Sequence, residues 1–276
     1  MAKRSLAQRF DIINKYRTQY DADLVEDLKS KLFGDIETLI VALMTPLDQY
    51  YASELHHAMA GLGTDENDLT QILCTLSNAE ILAVRRSYHQ RKSWLLNYNV
   101  FLISNFTEYS VNLGDDITDD TSDKYKDFLV SLCRTERVED EDLDQEAAVT
   151  DAQSLFNTTT ETRWSVYHDL FCHRSYAQLK LIFEEYEKVA GKSIEDSIQE
   201  FFSGDVKTGL LDIVGVAKNP IGFFAQQLHA TIAGVGTSDR DLMRLIVTRC
   251  EIDLADIKRE YQAQYSVTLA ADIVVS

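Results

Sequence analysis

Two prolines and eleven glycines in 276 residues leave few places where a helix is forced to stop, and alternation at strand period is sparse. These absences point to an all-α chain. No apolar run approaches the roughly 20 residues a bilayer-spanning helix needs. The longest, 94–106, is 13 residues long and carries three asparagines and a serine. Cations are scarce: 27 lysines and arginines face 45 acids, for a net charge of −18. That excess argues against a nucleic-acid partner, whose phosphates need neutralising. It argues equally against unaided attraction to anionic lipid. Cys74, Cys133, Cys172 and Cys250 lie scattered in apolar helical patterns without metal-type spacing, and read as buried free thiols of a cytoplasmic protein. The basic opening Met1–Arg9 has no apolar core, so no secretory leader is expected.

What the chain does have is a glycine-paired octet, Met59-Ala60-Gly61-Leu62-Gly63-Thr64-Asp65-Glu66, set between two apolar-periodic runs. This pattern predicts helix, tight turn, helix. The glycines permit positive φ, and Thr64 or Asp65 is placed to cap the second helix. A turn of this kind can be only a turn. It can also aim several carbonyls one way, the start of an oxygen site for a hard cation. The octet recurs 173 residues later as Ile232-Ala233-Gly234-Val235-Gly236-Thr237-Ser238-Asp239.

Other features recur as well. Short capped starts stand at Ser5–Gln8, Ser77–Glu80, Ser175–Gln178 and, more loosely, Cys250–Asp253, spaced by 72, 98 and 75 residues. Asp27–Asp35 resembles Ser197–Asp205, and Pro46 and Pro220 each stand ahead of a glycine octet. The unit is a five-helix repeat of roughly 70–75 residues, with four copies begun and not all finished. Helices are expected at 6–20, at 24–32 (ended by Gly34), at 36–44 (capped by Asp35), from Leu47 to the octet, at 69–76, and, behind the Ser77–Glu80 cap, from Ile81 to about His89.

Two segments break the pattern. Residues 91–107 are aromatic and apolar and have no counterpart elsewhere. Asp115–Asp151 holds fourteen acids against four bases. Such a run reads as a solvated linker. The cluster Asp115, Asp116, Asp119, Asp120 and Asp123 leaves a binding site as the alternative, though EF-hand spacing is absent.

The assembled motifs resemble the annexin family, over nearly the whole chain apart from 91–107. Asp116–Ser122 is similar to the second-repeat helix end of lipocortin-type vertebrate annexins, and Arg249–Tyr261 to the fourth repeat. The resemblance implies a curved all-α disc of four five-helix repeats, the first lacking its first two helices and the fourth its last. The implied division is a partial repeat 1–46, a second repeat 47–133 with the insertion, an acidic linker 134–150, a third repeat 151–219 and a partial fourth 220–276. Trimmed ends and an insertion together suggest an alternatively spliced product or an imperfectly delimited gene.

The resemblance also implies Ca2+ and its ligands. The main site of the second repeat falls on the carbonyls of Met59, Gly61 and Gly63 and on an acid about 42 residues beyond the first glycine. That count lands on Ile103, which cannot serve. With 91–107 taken as a 17-residue insertion that loops out, it lands on Asp120. Secondary sites would use the Thr64 carbonyl with the Glu66 carboxylate, and the carbonyls of Lys29 and Leu32 with the Glu37 carboxylate. In the fourth repeat Ile232, Gly234 and Gly236 supply carbonyls, but the acid position is Ser276. Lys31 and Phe201 stand at the acid positions of the first and third repeats, and the third repeat lacks its loop between Trp164 and Ser165.

The implied function is calcium-dependent binding to anionic phospholipid membranes, peripheral and reversible, with phospholipase A2 inhibition following from covered lipid. No nucleic-acid partner is implied, and the N-terminal tail through which the family meets protein partners has no counterpart here. Two rivals stand beside this reading. An enzyme is disfavoured because the six histidines are scattered, with His56 and His229 placed to pack on helices. A calcium-independent annexin-like scaffold, or a non-functional variant, is the other.

Overall fold

The computed structural model describes residues 3–61, 63–100, 112–140, 142–233 and 238–275. Every regular element among them is an α-helix. In chain order these are α1 Leu6–Tyr20, α2 Leu24–Lys29, α3 Gly34–Leu43, α4 Leu47–Ala58, α5 Glu66–Thr75, α6 Asn78–Val100, α7 Leu113–Asp120, α8 Asp123–Cys133 and α9 Gln145–Phe156. There follow α10 Arg163–His173, α11 Tyr176–Ala190, α12 Ile194–Phe201, α13 Gly204–Lys218, α14 Pro220–Ile232, α15 Asp239–Arg249, α16 Leu254–Tyr265 and α17 Leu269–Val275. They form two compact units, one of residues 1–50 and 221–276, the other of residues 51–220.

In the larger unit α13 packs on α5 and α11, and α8 on α5 and α10. Leu69, Ile72, Leu73, Leu113, Ile117, Phe128 and Leu129 are fully or almost fully buried there. The approach of α13 to α8 depends on Gly209, because a Cβ at that position would lie 2.6 Å from a ring carbon of Phe128. In the smaller unit α3 packs on α15, with Ala42, Leu43, Tyr50 and Val247 in one cluster. The buried Arg9 donates to the Leu43 carbonyl at 2.8 Å and pairs with Glu251 at 3.4 Å.

One contact recurs in all four helix groups. The hydroxyl of a tyrosine in one helix bonds a polar side chain on the next: Tyr16 to Asp27, Tyr88 to Asp116, Tyr186 to Ser197 and Tyr261 to Asp272. Each tyrosine stands eleven residues after one of the four start positions Ser5, Ser77, Ser175 and Cys250. Partners are 11 residues apart in three pairs and 28 apart in the Tyr88 pair. The excess is the same seventeen residues that the count to Asp120 requires. A left-handed residue opens the following helix in three groups: Gly34 at φ 64°, Asp123 at 51° and Gly204 at 60°.

Several expectations need correcting. The acidic run is no linker: most of it forms α7, α8 and the first turns of α9. Leu113, Ile117, Phe128, Leu129 and Leu132 recur at helical spacing among the acids and bury one face. The proposed linker 134–150 likewise ends early, since α9 starts at Gln145 behind an Asp144 cap that accepts from Ala147 N–H at 2.9 Å. Helix α6 continues to Val100, well past His89 and into the segment expected to loop out, because no glycine or proline interrupts 78–100. Residues 101–107 lie outside the described residues. Gly34 does not close α2, which ends at Lys29, but is the first residue of α3; Asp35 sits in that first turn and caps nothing, Phe33 being the N-cap.

Candidate functional site

The octet connects α4 to α5. Gly61 and Gly63 have φ of 109° and 103°, angles that side-chain-bearing residues rarely adopt, and a Cβ at either would point into open space. Backbone conformation, not crowding, is what requires glycine here. Asp65 N–H donates to the Ala58 carbonyl at 2.7 Å and closes the loop, and the Asp65 carboxylate caps α5 through Asp68 N–H at 3.1 Å. Of the two predicted caps, Asp65 is the one used.

The far end of the site comes from α7. Thr64 Oγ1 donates to the Asp120 carbonyl at 3.2 Å, joining the loop to a helix end 56 residues later. Tyr125, at the start of α8, donates to the Glu66 carbonyl at 2.6 Å and lies 2.8 Å from Thr70 Oγ1. Burial pushes the Tyr125 phenol far above its usual value, so it stays a hydroxyl and holds both contacts at any physiological pH. The loop is thus tied at two points to the α7–α8 turn.

The charge arrangement there is unfavourable without a cation. α7 ends in Asp119-Asp120 with no basic residue in its last turn, which places carboxylates at the negative end of the helix dipole. Asp120 is exposed, and among the described residues its carboxylate has no ion-pair or hydrogen-bond partner. Carbonyls freed by two positive-φ glycines and an unpaired carboxylate are hard oxygen donors, the set a Ca2+ site uses. No group of three or more His, Cys, Asp or Glu side chains able to hold a metal occurs among the described residues.

The remaining candidates are placed as follows. Lys29 ends α2 with its ammonium on Glu26 at 2.8 Å, Leu32 N–H bonds the Leu28 carbonyl at 2.9 Å, and Glu37 lies in the first turn of α3. Ile232 ends α14, while Gly234 and Gly236 lie outside the described residues, as does Ser276. Ser238 N–H donates to the Thr231 carbonyl at 3.0 Å, the same closing bond that Asp65 makes to Ala58. His56 packs against Tyr88 with ring centroids 6.1 Å apart, and His229 stacks on Tyr265 at 3.8 Å and touches the Tyr261 hydroxyl at 3.1 Å. Both are packing histidines. The tyrosine contacts, which sequence reading missed, place Lys31, Asp120 and Phe201 in register, each four residues beyond the tyrosine's partner. A tyrosine eleven residues after each capped start was the available signal.

The annexin family model matches residues 1–43, 50–96, 151–213 and 223–275. Mouse annexin A13 is 35% identical over 274 residues, covering 98% of this chain and 81% of the relative. Among solved structures, annexin III superposes with a TM-score of 0.90 at 34% identity, covering 99% of this chain and 81% of that one. A calcium-bound annexin (Sm)1 superposes at 0.86 with 31% identity, covering 100% and 78%. With four matched segments and a relative this similar along most of its length, the chain belongs to the annexin family.

Proposed function

We propose that this protein binds anionic phospholipid membranes in a calcium-dependent manner, and that the α4–α5 loop with Asp120 is its principal site. The observation that carries the reading is the Thr64–Asp120 hydrogen bond, which joins loop and helix end across the long Tyr88–Asp116 spacing. The carbonyls of Met59, Gly61 and Gly63 and the Asp120 carboxylate would hold Ca2+. When bound, it supplies positive charge and open coordination positions that a lipid phosphate can fill, since six to eight oxygens are usual. Metal and membrane affinities then rise together. Thr64 and Tyr125 keep the loop and the helix end in register, and the two glycines keep the carbonyl directions open.

This reading reconciles a charge of −18 with an anionic surface. It makes the protein cytoplasmic and peripheral, non-enzymatic, and capable of inhibiting phospholipase A2 by covering its lipid. No helix of the described residues is long and apolar enough to cross a membrane. The repeats run 1–46, 47–133, 151–219 and 220–276. The Thr64–Glu66 pair and the Lys29, Leu32 and Glu37 set are secondary candidates, and Ile232, Gly234 and Gly236 form a loop without an acid. Because Lys31, Phe201 and Ser276 cannot close a calcium shell with a carboxylate, a calcium-independent scaffold is the competing reading. Sedimentation with phosphatidylserine vesicles, with and without EGTA, separates them. Pelleting only with calcium is expected; equal pelleting in both would remove the calcium bridge.

A further inference from the structure

Where α7 ends in Asp120, α12 ends in Phe201, and the surroundings of Phe201 are cationic. The Arg163 guanidinium lies 3.8 Å from the Phe201 ring centroid, and the Lys192 ammonium lies 5.0 Å from it. Beside them Trp164 meets Phe202 edge-on at 6.4 Å, and the Lys124 ammonium stands 6.0 Å from the Trp164 ring. Two aromatic rings, Phe201 and Trp164, therefore gather three cations.

Their charges are unequally compensated. Lys192 is paired with Glu200 at 2.5 Å. Arg163 and Lys124 make no ion pair among the described residues, and Arg163 Nε is buried without a hydrogen-bond partner. Arg163 is also the first residue of α10, whose N-cap Thr162 makes no side-chain cap bond, so the positive end of the helix dipole adds to the same field. The exposed Glu161 is the acid nearest Arg163 in sequence, and the exposed Asp123 and Asp127 flank Lys124. A guanidinium stacked on a ring by its face keeps its edge N–H groups available for a planar fork onto phosphate oxygens.

We propose that Arg163 and Lys124, braced by Phe201 and Trp164, bind a phosphate group directly, without a metal. The choice of a lipid headgroup phosphate over a soluble one rests on the membrane reading above. It is supported by continuity: Lys124 lies in the first turn of α8, four residues beyond Asp120 on the same α7–α8 connection. The third helix group thus replaces a metal-dependent contact with a permanent one. It gives weak binding that resists chelation and is screened by salt.

The test is vesicle sedimentation of the full chain in EGTA. Wild type should pellet in part with phosphatidylserine vesicles at about 50 mM salt and lose that fraction several-fold by about 0.5 M. The double substitution Lys124→Gln with Arg163→Gln should lower EGTA-resistant pelleting at least about fivefold while leaving the calcium midpoint unchanged. Arg163→Lys, which keeps the charge but loses the planar fork, should fall between wild type and the double variant. Asp120→Asn should do the reverse, losing the calcium-dependent fraction and keeping the EGTA-resistant one, so this inference and the proposed function fail separately. No EGTA-resistant pelleting by wild type, equal pelleting by the double variant, or a loss with Arg163→Lys as large as with glutamine would each overturn the proposal. A change in Trp164 fluorescence that saturates with micromolar inorganic phosphate would overturn the lipid assignment in favour of a soluble ligand.

Discussion

The ends of α7 and α12 occupy the same place in two copies of one helix group, yet they solve opposite electrostatic problems. α7 ends in two carboxylates with no base in its last turn, and leaves Asp120 exposed beside a glycine loop. α12 ends in an aromatic ring with two cations on it, and the α9–α10 connection beside it contains no glycine. The first arrangement is incomplete without a cation; the second already contains its own. Both are held by the same buried device, a tyrosine hydroxyl from α6 or α11. Local charge can therefore be exchanged at a helix end without disturbing the helix pair that positions it.

The largest effect expected on this comparison is from Asp120→Asn. It removes the one carboxylate of the candidate site and should raise the calcium needed for half-maximal vesicle binding at least about tenfold, equivalent to about 1.4 kcal/mol. Calcium titration of sedimentation measures it, and an unchanged midpoint would move the site elsewhere. Gly63→Ala should follow, since its φ of 103° strains any Cβ-bearing residue by about 1–3 kcal/mol and turns a ligand carbonyl away. Calorimetric calcium titration should show several-fold weaker binding, with the unfolding temperature lowered by about 2–5 °C.

Asp212 tests whether the scaffold, as distinct from either helix end, sets pH sensitivity. Burial on α13 raises its carboxyl to about 7, and one oxygen lacks a hydrogen-bond partner. A carboxyl raised in the folded state contributes stability below its unfolded pKa, and that contribution is lost as pH rises toward 7. Wild type should lose up to about 1.4 kcal/mol per pH unit between about pH 4 and 7 relative to Asp212→Asn. Parallel thermal melts would contradict this, and vesicle binding at pH 7.4 should be the same in both. The smallest effect is expected from Phe201→Asp. A carboxylate restored there meets Arg163 and Lys192 but no glycine loop, so no new calcium-dependent binding should appear. Its appearance would mean that the acid alone makes a site.

Much of this was legible in the chain. Low proline and glycine gave the helices, and α1 runs over the expected residues because Ser5 and Gln8 form a reciprocal cap. The count that the family resemblance supplied led to Asp120, whose backbone carbonyl the structure brings to Thr64. The acidic run was misjudged because charge density conceals an apolar stripe; Leu113, Ile117 and Phe128 were visible at helical spacing but outnumbered. Gly34 was assigned to the wrong helix because a left-handed residue can precede one helix as readily as it follows another. The cation–aromatic cluster was beyond reach, since Arg163, Phe201, Lys192 and Lys124 meet only through tertiary packing.

The tyrosine contacts carry one more consequence, in polymer terms. Going from 11 to 28 residues between bonded partners adds only about 0.8 kcal/mol of closure entropy, because that cost grows as the logarithm of length. One buried hydroxyl–carboxylate bond outweighs it. The seventeen extra residues therefore leave the Tyr88–Asp116 bond in place, with Asp120 still delivered to the loop.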